Sequence, residues 1–224
     1  MTLIKKSAPS AFFVLSLLTY GVTPVVLATP SASDIPMKAS PLVEGKEYIT
    51  LPHHVSSQPP VVEFFSFYCG PCYQFVDKYP VSDAINRILS EGKVTKYHVS
   101  LMGALGSELT EAWAIAIVTG KTDQLERPLF EALRDGKLKD IDDIKFIFSQ
   151  FGIDSEVYKK MQQSLSVKGT VAIQNTAVKS FEVKSTPSFY INGTYQINNS
   201  GIAATSPQAY VESFANTVKI LLAQ

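Results

Sequence analysis

Cys69 and Cys72 are the only two cysteines in a chain of 224 residues, and just two residues separate them. Such a pair can carry thiol–disulfide exchange if one sulfur is held as a reactive thiolate. The placement of Cys69 favours this, because a dense apolar run, Val61 to Phe67, gives way there to a helical pattern. The first turn of a helix has unpaired N–H groups and a partial positive charge, which stabilise a thiolate. Cys69 is therefore expected to be acidic, exposed and nucleophilic. Cys72 follows one turn later on the same side, within bonding reach. Pro71 suits a first-turn position because its missing N–H costs nothing there, and Gly70 leaves the front of the site unobstructed. Three other readings compete. A purely structural disulfide would close a loop too small to constrain much of the unfolded chain. Half of a zinc site would need further ligands such as His53 and His54. The pairing could also be coincidental.

Positioning such a pair needs a strand behind it and a helix after it, and the chain supplies both. Glu47 to Leu51 reads as a short strand, residues 53–60 as a loop, and Val61 to Phe67 as a buried central strand. Tyr73 to Lys78 and Ser82 to Leu89 read as helix with a kink at Pro80. Val94 to Leu101 alternates and is β-branched, a second core strand. From about Met102 to Thr170, four apolar patterns of helical period are punctuated by Gly120, Gly136 and Gly152, which predicts an all-helical block. Strands then return. Ser188 to Ile191 and Thr194 to Ile197 flank Asn192-Gly193, a favoured two-residue hairpin turn. Ser206-Pro207 starts a last helix whose Tyr210, Phe214, Val218 and Leu221 share one face. The order is that of an α/β domain with a helical insertion.

Composition narrows the function classes. With 20 basic and 20 acidic residues and a pI near 6.8, no basic footprint for nucleic acid exists. An aromatic content of 11% against 18% charge excludes a disordered chain. Lys5 and Lys6, an apolar stretch from Ala11 to about Val22, and small residues at Val26 and Ala28 describe a secretory signal peptide, with cleavage expected after Ala28. An uncleaved anchor is the alternative, although Thr19, Tyr20, Gly21 and Pro24 interrupt the run. Losing both lysines leaves 18 basic and 20 acidic residues, a net charge of −2. Export places the cysteines in an oxidising compartment, where paired thiols have a purpose.

Four segments, FFSFYCGPCYQF (64–75), TKYHVSLMG (95–103), LTEAWAIA (109–116) and TPSFYINGTYQIN (186–198), resemble the DsbA family of periplasmic thiol oxidoreductases. The likeness runs from about Val43 to Leu222, in the family's order and spacing. It implies a thioredoxin fold interrupted by an all-helical insertion domain. On that pattern residues 1–28 are the signal peptide and 29–42 a flexible leader. Residues 43–101 and 173–224 form the two parts of the thioredoxin domain, and 102–172 the insertion. The resemblance also implies a monomer that donates disulfides to unfolded exported proteins with free thiols. It needs no cofactor beyond its own disulfide and is reoxidised by a DsbB-like, quinone-linked membrane protein. Residue by residue, Cys69 is implied to be the attacked sulfur and Cys72 its buried partner. Pro187 matches the cis-proline facing the disulfide, with Thr186 before it to bind an incoming peptide as an added strand. Glu63 and Lys96 match a buried acid–lysine pair that could relay a proton to Cys72. A glutamate reaching solvent from the strand end is the alternative for Glu63. His98 reads as a core histidine without a catalytic role.

Three positions depart from the family pattern. Gly70-Pro71, the dipeptide of thioredoxins, stands where the best-known members have Pro-His. Losing that histidine is expected to raise the pKa of Cys69 and make the disulfide less oxidising. Thr186 replaces a valine, and its hydroxyl could donate to a nearby sulfur. Val76 replaces an acid, which would slightly favour the thiolate. The thioredoxin-like dipeptide keeps a reductase or isomerase open as an alternative to an oxidase. A metallochaperone or a thiol-dependent holdase would use the same pair differently.

Overall fold

The computed structural model describes Pro41–Gln224; the signal peptide and nearly all of the leader lie outside the described residues. Five strands form one mixed sheet in the order β1-β5-β4-β2-β3. They are β1 (Tyr48–Thr50), β2 (Val61–Phe65), β3 (Thr95–His98), β4 (Ser188–Ile191) and β5 (Tyr195–Ile197). β2 pairs in parallel with β3, so a helical crossover must join them, whereas β4 runs antiparallel to both β2 and β5. That crossover is α1 (Gly70–Asp77) and α2 (Val81–Asn86). Pro80 therefore separates two helices, where a kink in one was expected. Pro80 lacks the N–H that would continue the ladder. The hairpin turn is as expected: Asn192 and Gly193 have φ of 50° and 60°, the left-handed pair that a two-residue turn requires.

Every residue of β2 is buried, and its alternation sorts them onto two faces. Val61 packs with α2 and the final helix α8 (Pro207–Leu222), against Ile85, Phe214, Val218 and Leu221. Val62 and Phe64 face the other way, onto Tyr97, Tyr190, Ala177 and Phe181. Ser206 caps α8 by accepting a hydrogen bond from the Ala209 N–H at 3.1 Å, with Pro207 in the first turn.

Between β3 and β4 lie α3 (Gly106–Val118), α4 (Thr122–Arg134), α5 (Ile141–Ser149), α6 (Ser155–Gln163) and α7 (Leu165–Ser180). This is a thioredoxin fold interrupted by helices, with five of them where periodicity gave four. The additional helix is α7, and the division after residue 172 falls inside it. Its buried positions explain why its pattern is faint: they are Val167, Gln174 and Ala177, one of them polar and one small. The helical core is contiguous with the cysteines, since Phe65, Phe67, Cys69, Cys72 and Trp113 belong to one buried cluster. The insertion thus forms the floor of the cysteine site.

Candidate active site

Cys69 sits at the junction of β2 and α1, and the chain reaches it through a braced loop. The Cys69 N–H donates to the Ser66 carbonyl at 2.9 Å. Two residues earlier, the Phe67 N–H donates to Nε2 of the buried His98 at 3.2 Å. His98 Nδ1 lies 2.8 Å from Thr110 Oγ1, whose hydroxyl donates to the Gly106 carbonyl. With Nε2 accepting, the proton must sit on Nδ1, so the ring is the neutral Nδ1–H form. Burial pushes its pKa down to about 3, which keeps it neutral throughout the physiological range. His98 is thus a structural brace, as its strand pattern suggests. Thr110 and Gln174, which complete its hydrogen bonds, carry no signal of this in the sequence. Tyr68 braces the other side, its hydroxyl accepting from the Leu105 N–H at 3.1 Å. Its ring lies against Gly103, at φ 72°, where a Cβ would collide with it.

Cys69 is the N-cap of α1 with extended backbone, φ −88° and ψ 109°. Its Sγ accepts a hydrogen bond from the Cys72 N–H at 3.1 Å, one of the four donors a helix start leaves unpaired. Cys69 and Cys72 are joined as a disulfide, with their Cα atoms 5.2 Å apart. Pro71 occupies the first turn, and nothing lies within 4 Å of where a Gly70 side chain would point. The expectation of an exposed Cys69 needs correction, because the residue is only 4% exposed, against 1% for Cys72. The aromatic loop before it and the Thr186 loop across from it cover the sulfur. Cys69 still lines a groove of about 370 Å³ together with Gly70 and Tyr73, and Cys72 does not.

The loop facing the disulfide carries Thr186 and Pro187, joined by a cis peptide bond. The Thr186 carbonyl oxygen lies 3.3 Å from Cys69 Sγ. The Thr186 hydroxyl does donate toward a sulfur, but that sulfur is Sδ of Met102, at 3.6 Å. Asn199 Nδ2 donates to the Pro187 carbonyl at 2.8 Å and holds the loop from behind.

Glu63 and Lys96 are register partners on β2 and β3, which forces their side chains together. Their Oε2 and Nζ atoms are 3.1 Å apart, and the Glu63 side chain is 1% exposed, so it does not reach solvent. Ser82 Oγ of α2 donates to the same Glu63 oxygen at 2.7 Å. Sequence reasoning missed a third member, Glu126 of α4, which also binds the Lys96 ammonium. The available signal was an acid directly after Leu125, on the edge of α4's apolar face. Burial raises the Glu126 pKa, and Glu63 adds to that, while Lys96 offsets part of it. Burial would lower the Lys96 pKa, but the pull of Glu63 and Glu126 outweighs it and holds Lys96 above its ordinary 10.5. The ammonium also lies 5.3 Å over the Phe65 ring, which packs in the same cluster as the cysteines. Among the described residues no hydrogen bond joins this triad directly to Cys72. His53 and His54 lie apart from the cysteines, beside the Ser180 carbonyl and the Thr194 hydroxyl.

A disulfide whose first cysteine caps the helix that follows the central strand, with helices inserted between β3 and β4, defines a thioredoxin-type thiol:disulfide oxidoreductase. The chain matches the DSBA-like thioredoxin domain over residues 60–212 and belongs to that family. It is 42% identical to the thiol:disulfide interchange protein DsbA of Salmonella typhimurium, over 82% of this chain and 90% of that protein. The crystal structure of DsbA from Klebsiella pneumoniae superposes with a TM-score of 0.80 at 44% identity, covering 83% of this chain and 100% of that one. A second solved structure, a cysteine-to-serine variant of Proteus mirabilis DsbA with the non-covalently bound peptide PWATCDS, has a TM-score of 0.79 at 37% identity. It covers 83% of this chain and 100% of its own. The redox group in this family is the protein's own disulfide.

Proposed function

We propose that the Cys69–Cys72 disulfide is donated to unfolded, newly exported proteins in the periplasm, with Cys69 as the sulfur of entry. The observation that carries this is the capping of α1 by Cys69 Sγ, which accepts the Cys72 N–H at 3.1 Å. A substrate thiolate attacks Cys69 Sγ, forming a substrate–Cys69 disulfide while the electron pair of the broken bond leaves on Cys72, which takes up a proton. The substrate's second thiolate then attacks the substrate sulfur and expels Cys69 as a thiolate. The helix N-terminus stabilises that thiolate, so it is a good leaving group. One substrate disulfide is gained as the protein disulfide becomes a Cys72 thiol and a Cys69 thiolate: two electrons and one proton reach the protein, and the second proton of the substrate dithiol goes to solvent.

Glu63, paired with Lys96 and hydrogen-bonded by Ser82, is the buried carboxyl group suited to take up the proton released by a substrate thiol and pass it on to Cys72. Thr186 and Pro187, facing the sulfur, would receive the substrate chain as an added extended segment. The cysteine-containing peptide bound by the Proteus mirabilis relative supports such an occupant. A DsbB-like, quinone-linked membrane protein would take the electrons onward, and the protein would work as a monomer once a signal peptide is cut after Ala28.

The Gly70-Pro71 dipeptide favours a second reading, a reductase or isomerase that starts from the dithiol. Rapid alkylation of thiols in growing cells separates the two. A predominantly oxidised pool is expected for the donor, and a predominantly reduced pool would replace it with the second reading. The dipeptide also yields a mutational prediction. Pro71→His places a hydrogen-bond donor beside the capping thiolate and should make the protein more oxidising. Equilibration of the variant with glutathione buffers measures this, and an unchanged or lower potential would count against thiolate stabilisation at the cap.

A further inference from the structure

The groove that ends on Cys69 has walls of Phe67, Tyr68, Tyr73, Leu133 and Leu138, and Arg134 is the only charged residue lining it. Arg134 stands in the last turn of α4, with its guanidinium 4.0 Å from the centroid of the Tyr73 ring. That cation–π contact fixes the charge beside the residue that follows Cys72. Nearby charges are already engaged: Arg127 pairs with Asp77 and Glu131, and Lys137 with Asp135. Among the described residues Arg134 makes no salt bridge; the neighbouring Asp135 feels its charge but pairs with Lys137, which leaves the Arg134 guanidinium open to the groove.

An unpaired cation on an aromatic wall, one groove away from a reactive sulfur, suits an anion that arrives together with a thiol. We propose that Arg134 makes this groove a specificity subsite for substrate segments that carry a carboxylate close to the reacting cysteine. The inference rests on Cys69 being the sulfur of entry. A second physical effect opposes such segments in solution and is cancelled at this site. A carboxylate beside a cysteine raises the thiol pKa and depletes the attacking thiolate. Pairing that carboxylate with Arg134 restores the thiolate where the exchange occurs. Arg134 touches the substrate chain and not the exchanging sulfurs, so it selects substrates without taking part in the redox step.

The test uses the oxidised full chain and three reduced dithiol peptides that differ at one position, two residues after the first cysteine, which is Glu, Gln or Lys. Rates of peptide oxidation are read by alkylation quench at low and high salt. The Glu peptide should react about fivefold faster than the Lys peptide at low salt, the size expected of one partly exposed ion pair. The ratio should fall toward one with salt and in Arg134→Gln, and invert in Arg134→Glu. A preference that persists in Arg134→Glu, or equal rates for all three peptides with the unaltered chain, would overturn the subsite alone. Failure to oxidise even the Gln peptide would overturn the donor reading and the subsite with it.

Discussion

Cys69→Ala is expected to lower disulfide donation to the uncatalysed background, whereas Cys72→Ala accumulates stable mixed disulfides with substrate. The asymmetry follows from the surroundings of the two sulfurs. Cys69 lines the groove, and its sulfur, as a thiolate, would be stabilised by the Cys72 N–H and the start of α1. Cys72 lies one turn deeper and is 1% exposed, packed in the cluster that contains Phe67 and Trp113. An attack at Cys69 frees Cys72 to reverse the exchange, and removing Cys72 removes that escape. Non-reducing gels and mass spectrometry of each variant after incubation with reduced, unfolded protein would show the difference. Trapping through Cys72 in the Cys69→Ala variant, at a yield matching that of Cys72→Ala, would reverse the assignment.

Lys96→Met is expected to cost about 3–5 kcal/mol of stability at neutral pH, the usual penalty for stranding buried charge. For a domain of this size that lowers Tm by roughly 10 °C. Lys96 holds two buried carboxylates at once, Glu63 at 3.1 Å and Glu126 beside it. Removing the cation leaves two negative charges facing each other in a site where burial already raises the Glu126 pKa. An acid whose folded pKa is raised binds its proton more readily folded than unfolded, so acidification favours the folded variant. The gap between variant and parent should therefore narrow as pH falls. In the parent chain the sign on Lys96 is the opposite one. Its folded pKa lies above 10.5, so its contribution is intact through neutral pH and is lost only in strong alkali. Thermal melts of both proteins across the acid range measure the narrowing, and a constant gap would mean that the loss is one of packing alone.

Much of the architecture was legible because single elements carry strong signals. The apolar run of β2, the Asn192-Gly193 turn and the Ser206-Pro207 cap each specify their local structure through backbone chemistry. The cysteine pair was legible for the same reason, lying at a strand-to-helix junction. What stayed hidden depends on contacts between distant segments. Glu126 joins Glu63 and Lys96 only because α4 packs back across the sheet edge. Helix α7 was faint because Gln174 is buried by binding the His98 N–H and the Thr110 carbonyl, so a polar residue holds a core position. The near-burial of Cys69 was missed because the Thr186 loop, more than a hundred residues away, closes over it.

The dipeptide between the cysteines bears most directly on whether this disulfide is donated. Gly70-Pro71 lacks the histidine of the best-known relatives, but the helix cap that would stabilise a Cys69 thiolate is in place. The disulfide should therefore be weaker as an oxidant than DsbA and stronger than thioredoxin. Those two reference proteins stand at about −120 and −270 mV. Structural disulfides of secreted proteins generally lie below about −300 mV, so a pair within that window can still transfer its bond to them. Equilibrating the purified protein with graded glutathione buffers and counting alkylated thiols gives the potential. A value between about −120 and −270 mV is the predicted result. A value below about −300 mV would contradict disulfide donation, because the protein would then hold its disulfide more tightly than its substrates could.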